Sequence, residues 1–332
     1  MKAMRIHENG GPEVFRCDEV ELPPPGPGQA RIRHGAIALN FSDVNVRRGG
    51  FYLAAPLRFP VTLGNEGAGV VVAVGEGVRS VKEGDRVAYV GSGGPFYENT
   101  GAYAEERNLP SHVLVKLPDA ISERTAAALM LKGLTASLVI NRCYRPQRGD
   151  LILIHAAASG VGLLLVQWAK HLGATVIGTV GSPEKAQSIR GCGADHAILY
   201  RETDFVAEVK KLAPGGVAAV FDGVGRDTFL KSLDVIRPFG MLVNYGNASG
   251  HPDPVDILLL AKKGSIVVSR PAISNHIARL EDLRRYSNEL FDLVRRGVLK
   301  VEIGRSYPLQ DVAQAHRDIE ARAFAGSAVL IP

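Results

Sequence analysis

The residues whose types and spacing point most directly to chemistry run from Asp150 to Gly162: Asp150-Leu151-Ile152-Leu153-Ile154-His155-Ala156-Ala157-Ala158-Ser159-Gly160-Val161-Gly162. A short apolar run, a string of small residues and the apolar start of a helical pattern read as strand, tight turn and helix N-terminus. Such a turn suits a pyrophosphate. Small side chains let the backbone approach the anion, and the free N–H groups and dipole at the start of the helix favour its negative charge. The match to the dinucleotide fingerprint is incomplete, because Ala157 and Ser159 take its first two glycine positions and only Gly162 keeps the third. Taken alone, the segment reads equally well as a tight turn that binds nothing. The downstream order of elements tips the balance, since a second apolar strand, 174–180, comes after the helix and should end where an adenosine ribose would lie.

In sites specific for NAD, an acidic residue at the end of that strand accepts hydrogen bonds from both ribose hydroxyls and would repel the 2′-phosphate of NADP. Here the chain reads Thr179-Val180-Gly181-Ser182-Pro183-Glu184-Lys185, with a hydroxyl and a cation just past the strand and Tyr200 and Arg201 after the next one. NADPH is therefore favoured over NADH. Against this stand the usual fate of a lysine, which is to be solvated on a helix, and Glu184, an acid beside the proposed anion site.

The elements that must hold these residues fall into two textures. The first 124 residues are rich in Gly and Pro, with β-branched runs at 30–33, 69–74 and 86–89 separated by turn clusters such as Pro23-Pro24-Pro25-Gly26-Pro27-Gly28. Beyond Ser122, helical patterns at 123–131 and 161–172 alternate with strands at 151–154, 175–179 and 218–221, and two more strands are expected at 241–245 and 265–269. Strands alternating with helices imply crossover connections and a parallel, doubly wound sheet, hence a Rossmann-type domain. A long amphipathic helix is expected over 279–296, then a strand at 299–303 and a helix at 309–323, a tail that returns to the first domain.

With 332 residues, 46% hydrophobic and 22% charged, the chain has ordinary globular composition and room for two domains. Its longest apolar stretches, such as 151–154 and 161–166, are too short to span a bilayer, and residues 1–5 lack the order of a signal peptide, so a cytoplasmic location is expected. The three cysteines, Cys17, Cys143 and Cys192, are too scattered for a paired-cysteine zinc motif or a disulfide framework. A net charge of +5 could suit nucleic acid, but the basic residues are dispersed, and an anionic small ligand accounts for the surplus equally well.

Several colinear segments resemble the quinone oxidoreductase branch of the medium-chain dehydrogenase/reductase superfamily, which includes zeta-crystallin and bacterial NADPH:quinone reductases. They are Gly10-Gly11-Pro12-Glu13-Val14, Asn40-Phe41-Ser42-Asp43, Gly64-Asn65-Glu66-Gly67-Ala68-Gly69, Leu131-Lys132-Gly133-Leu134-Thr135, the 155–162 turn, Gly178-Thr179-Val180-Gly181 and the final Val329-Leu330-Ile331-Pro332. The resemblance implies an α/β protein: a GroES-like β-rich catalytic domain, 1–124 with 271–332, and a Rossmann NADP-binding domain, 125–270. The zinc alcohol dehydrogenases of the superfamily carry a cysteine and a histidine as catalytic metal ligands where this chain has Asn40 and Asn65. Amides substitute poorly for thiolate and imidazole at zinc, so zinc-independent chemistry is expected.

By the same resemblance, Asn40 and Tyr52 are nicotinamide-side residues that orient the reactants, and no essential general acid is implied. Ala158, Ser159, Gly160 and Val161 would face the pyrophosphate, and Ser182, Lys185 and Tyr200 the 2′-phosphate. Tyr245-Gly246-Asn247-Ala248-Ser249 and Ser269-Arg270-Pro271 would flank the nicotinamide and phosphates, with Arg322 a further phosphate contact. Two departures stand out. Asn45 replaces a tyrosine common among bacterial relatives, and Ser159 replaces a glycine, where its side chain would crowd the pyrophosphate or hydrogen-bond to it.

The function so implied is NADPH-dependent reduction of a quinone by hydride transfer, with positioning dominant over acid–base work. An enone or alkenal reductase is the rival enzyme, with Tyr52 as its proton donor. A structural or RNA-binding NADPH protein is the rival of another class. Loops 46–59 and 91–101 would set the choice of substrate, and a homodimer is expected through the Rossmann edge strand, 265–269.

Overall fold

A computed structural model describes residues 1–50, 56–91 and 100–332. Along the chain come β1 (Lys2–Ile6), β2 (Phe15–Glu19), β3 (Gln29–Leu39), α1 (Phe41–Arg47), β4 (Val61–Thr62), β5 (Glu66–Val74), β6 (Arg86–Val90), β7 (Glu106–Pro110), β8 (Val115–Lys116) and α2 (Glu123–Leu138). Next are β9 (Leu151–Ile154), α3 (Gly160–His171), β10 (Thr175–Val180), α4 (Pro183–Gly191), β11 (His196–Leu199), α5 (Phe205–Leu212), β12 (Val217–Asp222), α6 (Phe229–Ser232), β13 (Ile236–Asn244), α7 (Ile257–Lys262) and β14 (Val267–Ser269). The chain ends with α8 (Ile273–His276), α9 (Leu280–Arg295), β15 (Ile303–Pro308), α10 (Val312–Glu320) and β16 (Ser327–Ile331).

These elements form two units. The first comprises Met1–Leu131, Arg279–Phe291 and Val301–Pro332. It holds a three-stranded sheet, β2-β1-β4, and a seven-stranded sheet in the order β15-β16-β3-β5-β6-β8, with β7 also paired to β3. The eleven-residue β3 organises it. Ala30, Ile32 and His34 alternate inward along its first half, and from Ala36 to Leu39 every residue is buried. The C-terminal strand closes on it antiparallel, Ala328 opposite Leu39 and Leu330 opposite Ile37. Ile6, Ile32, Leu39, Leu63, Tyr89, Tyr103, Leu109 and Leu330 make the core.

The second unit comprises Lys132–Ala278 and Asp292–Lys300. Its six strands are all parallel, in the order β11-β10-β9-β12-β13-β14, so the sheet grows outward in both directions from β9 and β12. Every residue of β12, Val-Ala-Ala-Val-Phe-Asp, is buried, as a central parallel strand covered on both faces requires. Chain order reverses between β9 and β12, where ligands of such sheets bind beyond the carboxyl ends of the strands.

Several element ends differ from the sequence expectation, each for a local reason. The strand expected at 299–303 begins only at Ile303, where pairing with Ser327 starts; Leu299 is buried and its N–H bonds to the Leu293 carbonyl instead. The edge strand starts at Val267, because Ser265 has a left-handed φ of 58° and still donates its N–H to Ala261 of α7. The helix expected to reach Ala323 runs as a 3₁₀ turn, 309–311, and then α10, stopping at Glu320 before Arg322 turns left-handed. The helix expected over 123–131 extends to Leu138 and continues as a π turn to Cys143. By length and composition, 123–143 could cross a membrane, although 78% of its apolar window is buried within the protein. Polar residues such as Lys132 and Thr135 break it into short apolar runs, which is why it is not conspicuous in the sequence.

Candidate functional site

The turn between β9 and α3 is built by close approach. Ala156 takes a left-handed φ of 50°, and the amides on either side of it are pinned to neighbouring strands: His155 N–H to the Phe221 carbonyl at 2.9 Å, Ala157 N–H to the Thr179 carbonyl at 3.2 Å. A Cβ at position 162 would lie 2.4 Å from the Ala156 carbonyl oxygen, so the glycine is obligatory there. A Cβ at position 178 would come within 2.8 Å of the Ala157 methyl. Small residues are thus required on both sides of the turn, although the strict glycine fingerprint is not kept. Ala158 is buried, Gly160 and Val161 are half-buried, and Ser159 is exposed.

Ser159 does something the sequence reading did not anticipate. It is the N-cap of α3, and its hydroxyl oxygen accepts the Gly162 N–H at 3.0 Å. The serine therefore occupies one amide at the helix start while leaving the others. Beneath the turn, buried His155 bridges three elements: Nδ1 to Thr179 Oγ1 at 2.9 Å and Nε2 to Ser232 Oγ at 3.0 Å, with the Phe205 ring edge-on at 4.8 Å. Ser232 donates its proton to the Thr228 carbonyl, so it accepts from Nε2–H, and Nδ1 accepts from Thr179. Burial lowers the His155 pKa and keeps the ring neutral.

Past β10, the Tyr200 hydroxyl stands over the Gly181 backbone, where a Cβ would lie 2.9 Å from it and 3.4 Å from Arg201 Nε. Ser182 is the N-cap of α4, its oxygen accepting the Lys185 N–H at 3.5 Å. Its hydroxyl also bonds to Glu184, which holds that exposed carboxyl below its ordinary range. The Tyr200 hydroxyl, Arg201 Nε and the Ser182 cap thus lie around Gly181 at the carboxyl end of β10, with the Lys185 backbone held on Ser182.

The ends of β12, β13 and β14 supply a third group. Asp222 accepts from Val224 N–H at 2.7 Å, Thr228 Oγ1 at 2.9 Å and Asn244 Nδ2 at 3.3 Å. Arg270 donates to the Asn244 carbonyl at 2.8 Å. With the Asn247 amide oriented to donate to Gly246 O at 2.8 Å, its oxygen accepts from Arg270 Nη2 at 3.1 Å, which joins two of the expected site residues. Gly246 packs so tightly on Gly223 that a Cβ would lie 2.7 Å from the Gly223 oxygen. The Ser269 hydroxyl turns to Cys143 Sγ at 3.7 Å.

In the first unit, Asn40 ends β3 and caps α1; its backbone N–H bonds to Asp43 Oδ2 at 3.0 Å, and its side-chain Nδ2 donates to Glu66 Oε1 at 2.8 Å. Asn65 Nδ2 reaches Asp43 Oδ1 at 3.4 Å, while its buried Oδ1 has no partner among the described residues. Asp43 also accepts from the Tyr103 hydroxyl, which contacts His316, which in turn bonds to Arg47. Glu66, Asp43, Tyr103, His316 and Arg47 were not singled out from the sequence as functional. The signals available were a glutamate opening the apolar, glycine-rich strand Glu66–Val74 and the place of Asp43 and Glu66 in the segments that carry the family resemblance. Half-buried Asn45 accepts the Gly50 N–H through its carbonyl at 2.7 Å. Arg322 is exposed just beyond α10. Tyr52 lies outside the described residues, as do parts of both loops expected to set substrate choice.

Comparison with known proteins agrees with this architecture. Residues 26–119 match the family model for the alcohol dehydrogenase GroES-like domain, and residues 160–284 match that for zinc-binding dehydrogenase. Quinone oxidoreductase 1 of Escherichia coli is 42% identical over 332 residues, 99% of both chains. A 2-haloacrylate reductase of a Burkholderia species is 40% identical over 331 residues, 98% of both. The crystal structure of Escherichia coli quinone oxidoreductase complexed with NADPH superposes with a TM-score of 0.94 at 41% identity, each chain covered in full. Two-domain architecture and full-length identity together place the chain: it belongs to the quinone oxidoreductase branch of the medium-chain dehydrogenase/reductase superfamily.

Proposed function

We propose that the protein reduces quinones with NADPH by hydride transfer that requires no metal. The observation that carries this reading is the pairing of the buried Asn40 and Asn65 amides with the carboxylates of Glu66 and Asp43. Both side chains turn amide nitrogen, a donor, toward their neighbours, where a catalytic zinc would need thiolate or imidazole lone pairs. The donor set does not fit zinc. Without a Lewis acid, the favoured acceptor is one electrophilic enough to take hydride unaided, whose product oxygen takes its proton from water. A quinone meets both conditions.

The residues present do fit NADPH, which the Escherichia coli neighbour contains. The closely packed 156–162 turn and the start of α3 suit its pyrophosphate, through Ala158, Ser159, Gly160 and Val161. Ser182, Lys185 and Tyr200, with no acid closing β10, suit its 2′-phosphate. Gly246, Asn247, Ser269 and Arg270 would flank the nicotinamide and phosphates, and Arg322 would add a phosphate contact. When bound, the reduced nicotinamide supplies the hydride. Asn40 and Tyr52 orient the reactants, with no essential acid or base. The 2-haloacrylate reductase relative supports a second reading, reduction of an activated carbon–carbon double bond, which needs a proton at the α-carbon and for which Tyr52 is the proposed donor.

We further propose a homodimer formed by pairing β14, the edge of the six-stranded sheet, whose Val267 is 48% exposed. Sedimentation velocity tests it. The activity is tested by following oxidation of NADPH and of NADH with 1,4-benzoquinone, 9,10-phenanthrenequinone and a simple enone, with and without a zinc chelator. Fast NADPH oxidation with a quinone, indifferent to chelation, is expected. Turnover of the enone alone would promote the second reading, and chelator-sensitive turnover would overturn the metal-free one.

A further inference from the structure

We propose that Asn247 is a positioning residue that acts on the coenzyme through Arg270, whose guanidinium it fixes as a preset anion contact. The inference rests on the reading that Arg270 faces a phosphate of NADPH. It starts from the buried Asp222 carboxylate at the end of β12. Asp222 Oδ2, the Asp222 main-chain oxygen and the Gly246 main-chain oxygen lie 3.3, 3.4 and 3.0 Å from Asn244 Nδ2. All three are acceptors, so the Asn244 amide turns its nitrogen toward them and leaves its oxygen to Asn247. That oxygen accepts from Asn247 Nδ2 at 3.3 Å, and the same nitrogen donates to Gly246 O at 2.8 Å, which puts the Asn247 oxygen on Arg270 Nη2 at 3.1 Å. Arg270 Nη1 donates to the Asn244 carbonyl at 2.8 Å. The sense of each amide is thus set by its neighbour, from the carboxylate that ends β12 to the arginine just past β14.

Asn247 is only 6% exposed, and both ends of its amide are engaged within the protein. Arg270, by contrast, is exposed. Its two acceptors are uncharged oxygens, which hold the guanidinium without neutralising it. Of the five N–H donors of a guanidinium, two are spent on them and three remain for a ligand. Holding an exposed arginine costs side-chain freedom, and burying a carboxylate and two amides costs hydration, so packing at the strand ends alone does not ask for this network. A guanidinium already held in one plane avoids that ordering cost when a phosphate arrives.

The test is NADPH affinity, read by titrating the fluorescence of the bound coenzyme, in Asn247→Ala, Arg270→Ala and the double variant. Arg270→Ala is expected to raise Kd at least about tenfold, the loss of a charge-assisted contact. Asn247→Ala should raise it about fivefold, with kcat at saturating NADPH and 9,10-phenanthrenequinone within about twofold of wild type. In the Arg270→Ala background, Asn247→Ala should add less than about twofold, because the group it positions is gone. Arg270→Lys keeps the charge but cannot span both acceptors in one plane, so its Kd should lie near that of Arg270→Ala. Costs that multiply in full in the double variant would mean that Asn247 meets the coenzyme directly or only supports the fold, and would overturn the inference. Wild-type affinity in Asn247→Ala or in Arg270→Lys would overturn it too. If Arg270→Ala binds NADPH as the wild type does, the reading of Arg270 as a phosphate contact fails first and takes the inference with it. Should Asn247→Ala not fold, Asn247→Leu, which fills the space but neither donates nor accepts, completes the same cycle.

Discussion

The buried Arg47 guanidinium donates to His316 Nδ1 at 2.9 Å. Because a guanidinium can only donate, Nδ1 must be the acceptor, and the imidazole proton sits on Nε2. Nε2–H then meets the Tyr103 oxygen at 3.2 Å, and the Tyr103 proton goes to Asp43 Oδ2 at 2.9 Å. The result is a one-way chain of donors from Arg47 of α1, through His316 of α10 and Tyr103, to the carboxylate that holds the Asn40 backbone. His316 is kept neutral, its pKa pushed well down by burial first and by the Arg47 and Arg48 charges second.

Breaking the middle of that chain should therefore destabilise the first unit. Tyr103→Phe leaves the His316 Nε2–H and one lone pair of Asp43 without their partner in a dry site, a cost of about 1–3 kcal/mol. Urea unfolding measures it. A change below about 0.5 kcal/mol would mean that water enters and replaces the hydroxyl.

Stability should also fall on acidification, for reasons that can be assigned. His34 is buried, with Nδ1 on the Ala104 carbonyl at 2.7 Å and Nε2 on the Tyr89 hydroxyl at 2.8 Å, and burial pushes its pKa down to about 4. A folded-state pKa below the unfolded value means that the unfolded chain binds the proton first. His34 thus contributes fully above about pH 6.5 and loses that contribution as pH falls toward about 4, some 3 kcal/mol at about 1.4 kcal/mol per unit. His316 acts in the same direction. Unfolding free energies measured at intervals from pH 7 to pH 4 should decline, and His34→Gln should flatten the slope while lowering stability at pH 7. An unchanged slope would show that His34 titrates alike in both states.

The parallel sheet was legible in the sequence because its strands are nearly continuous apolar runs bounded by turns, and Leu151–Ile154 was located to the residue. Pairing could not be read. The short strands Val61–Thr62 and Val115–Lys116 carry no pattern of their own and exist because a partner strand is there. The closely packed turn between β9 and α3 was legible in outline, since small residues are needed on both sides of it. The cap that Ser159 provides was not, because a serine beside glycine reads equally as a bulkier substitute. The Asp43 and Glu66 network escaped notice because its members lie up to 273 residues from their partners, as Arg47 does from Glu320.

The turn offers two contrasting substitutions. Gly162→Ala forces a methyl to within 2.4 Å of the Ala156 carbonyl, a backbone atom that cannot swing away, so the turn must shift. A stability loss of about 1–3 kcal/mol and a large loss of NADPH affinity are expected together. Ser159→Ala removes only the cap on Gly162, costing about 1 kcal/mol in stability. It also frees that N–H for an anion, so NADPH affinity should hold or rise. Calorimetric titration with NADPH separates the two, and a matching loss of affinity in both variants would mean that the Ser159 hydroxyl itself holds the coenzyme.

Coenzyme choice should reside in the group at the end of β10. If Lys185 meets the 2′-phosphate, Lys185→Ala removes a charge-assisted contact that only NADPH can make, weakening it by about 1.5–3 kcal/mol, which is at least tenfold in Kd. NADH lacks the phosphate, and its KM should change by less than about twofold. Lys185 lies one residue past Glu184, whose carboxyl is held ionised by Ser182, so Glu184→Gln should move NADPH affinity the opposite way by relieving repulsion of the phosphate. Steady-state KM values for both coenzymes across the two variants check this. Equal weakening of NADPH and NADH in Lys185→Ala would place the lysine's effect on the fold of α4 rather than on the phosphate.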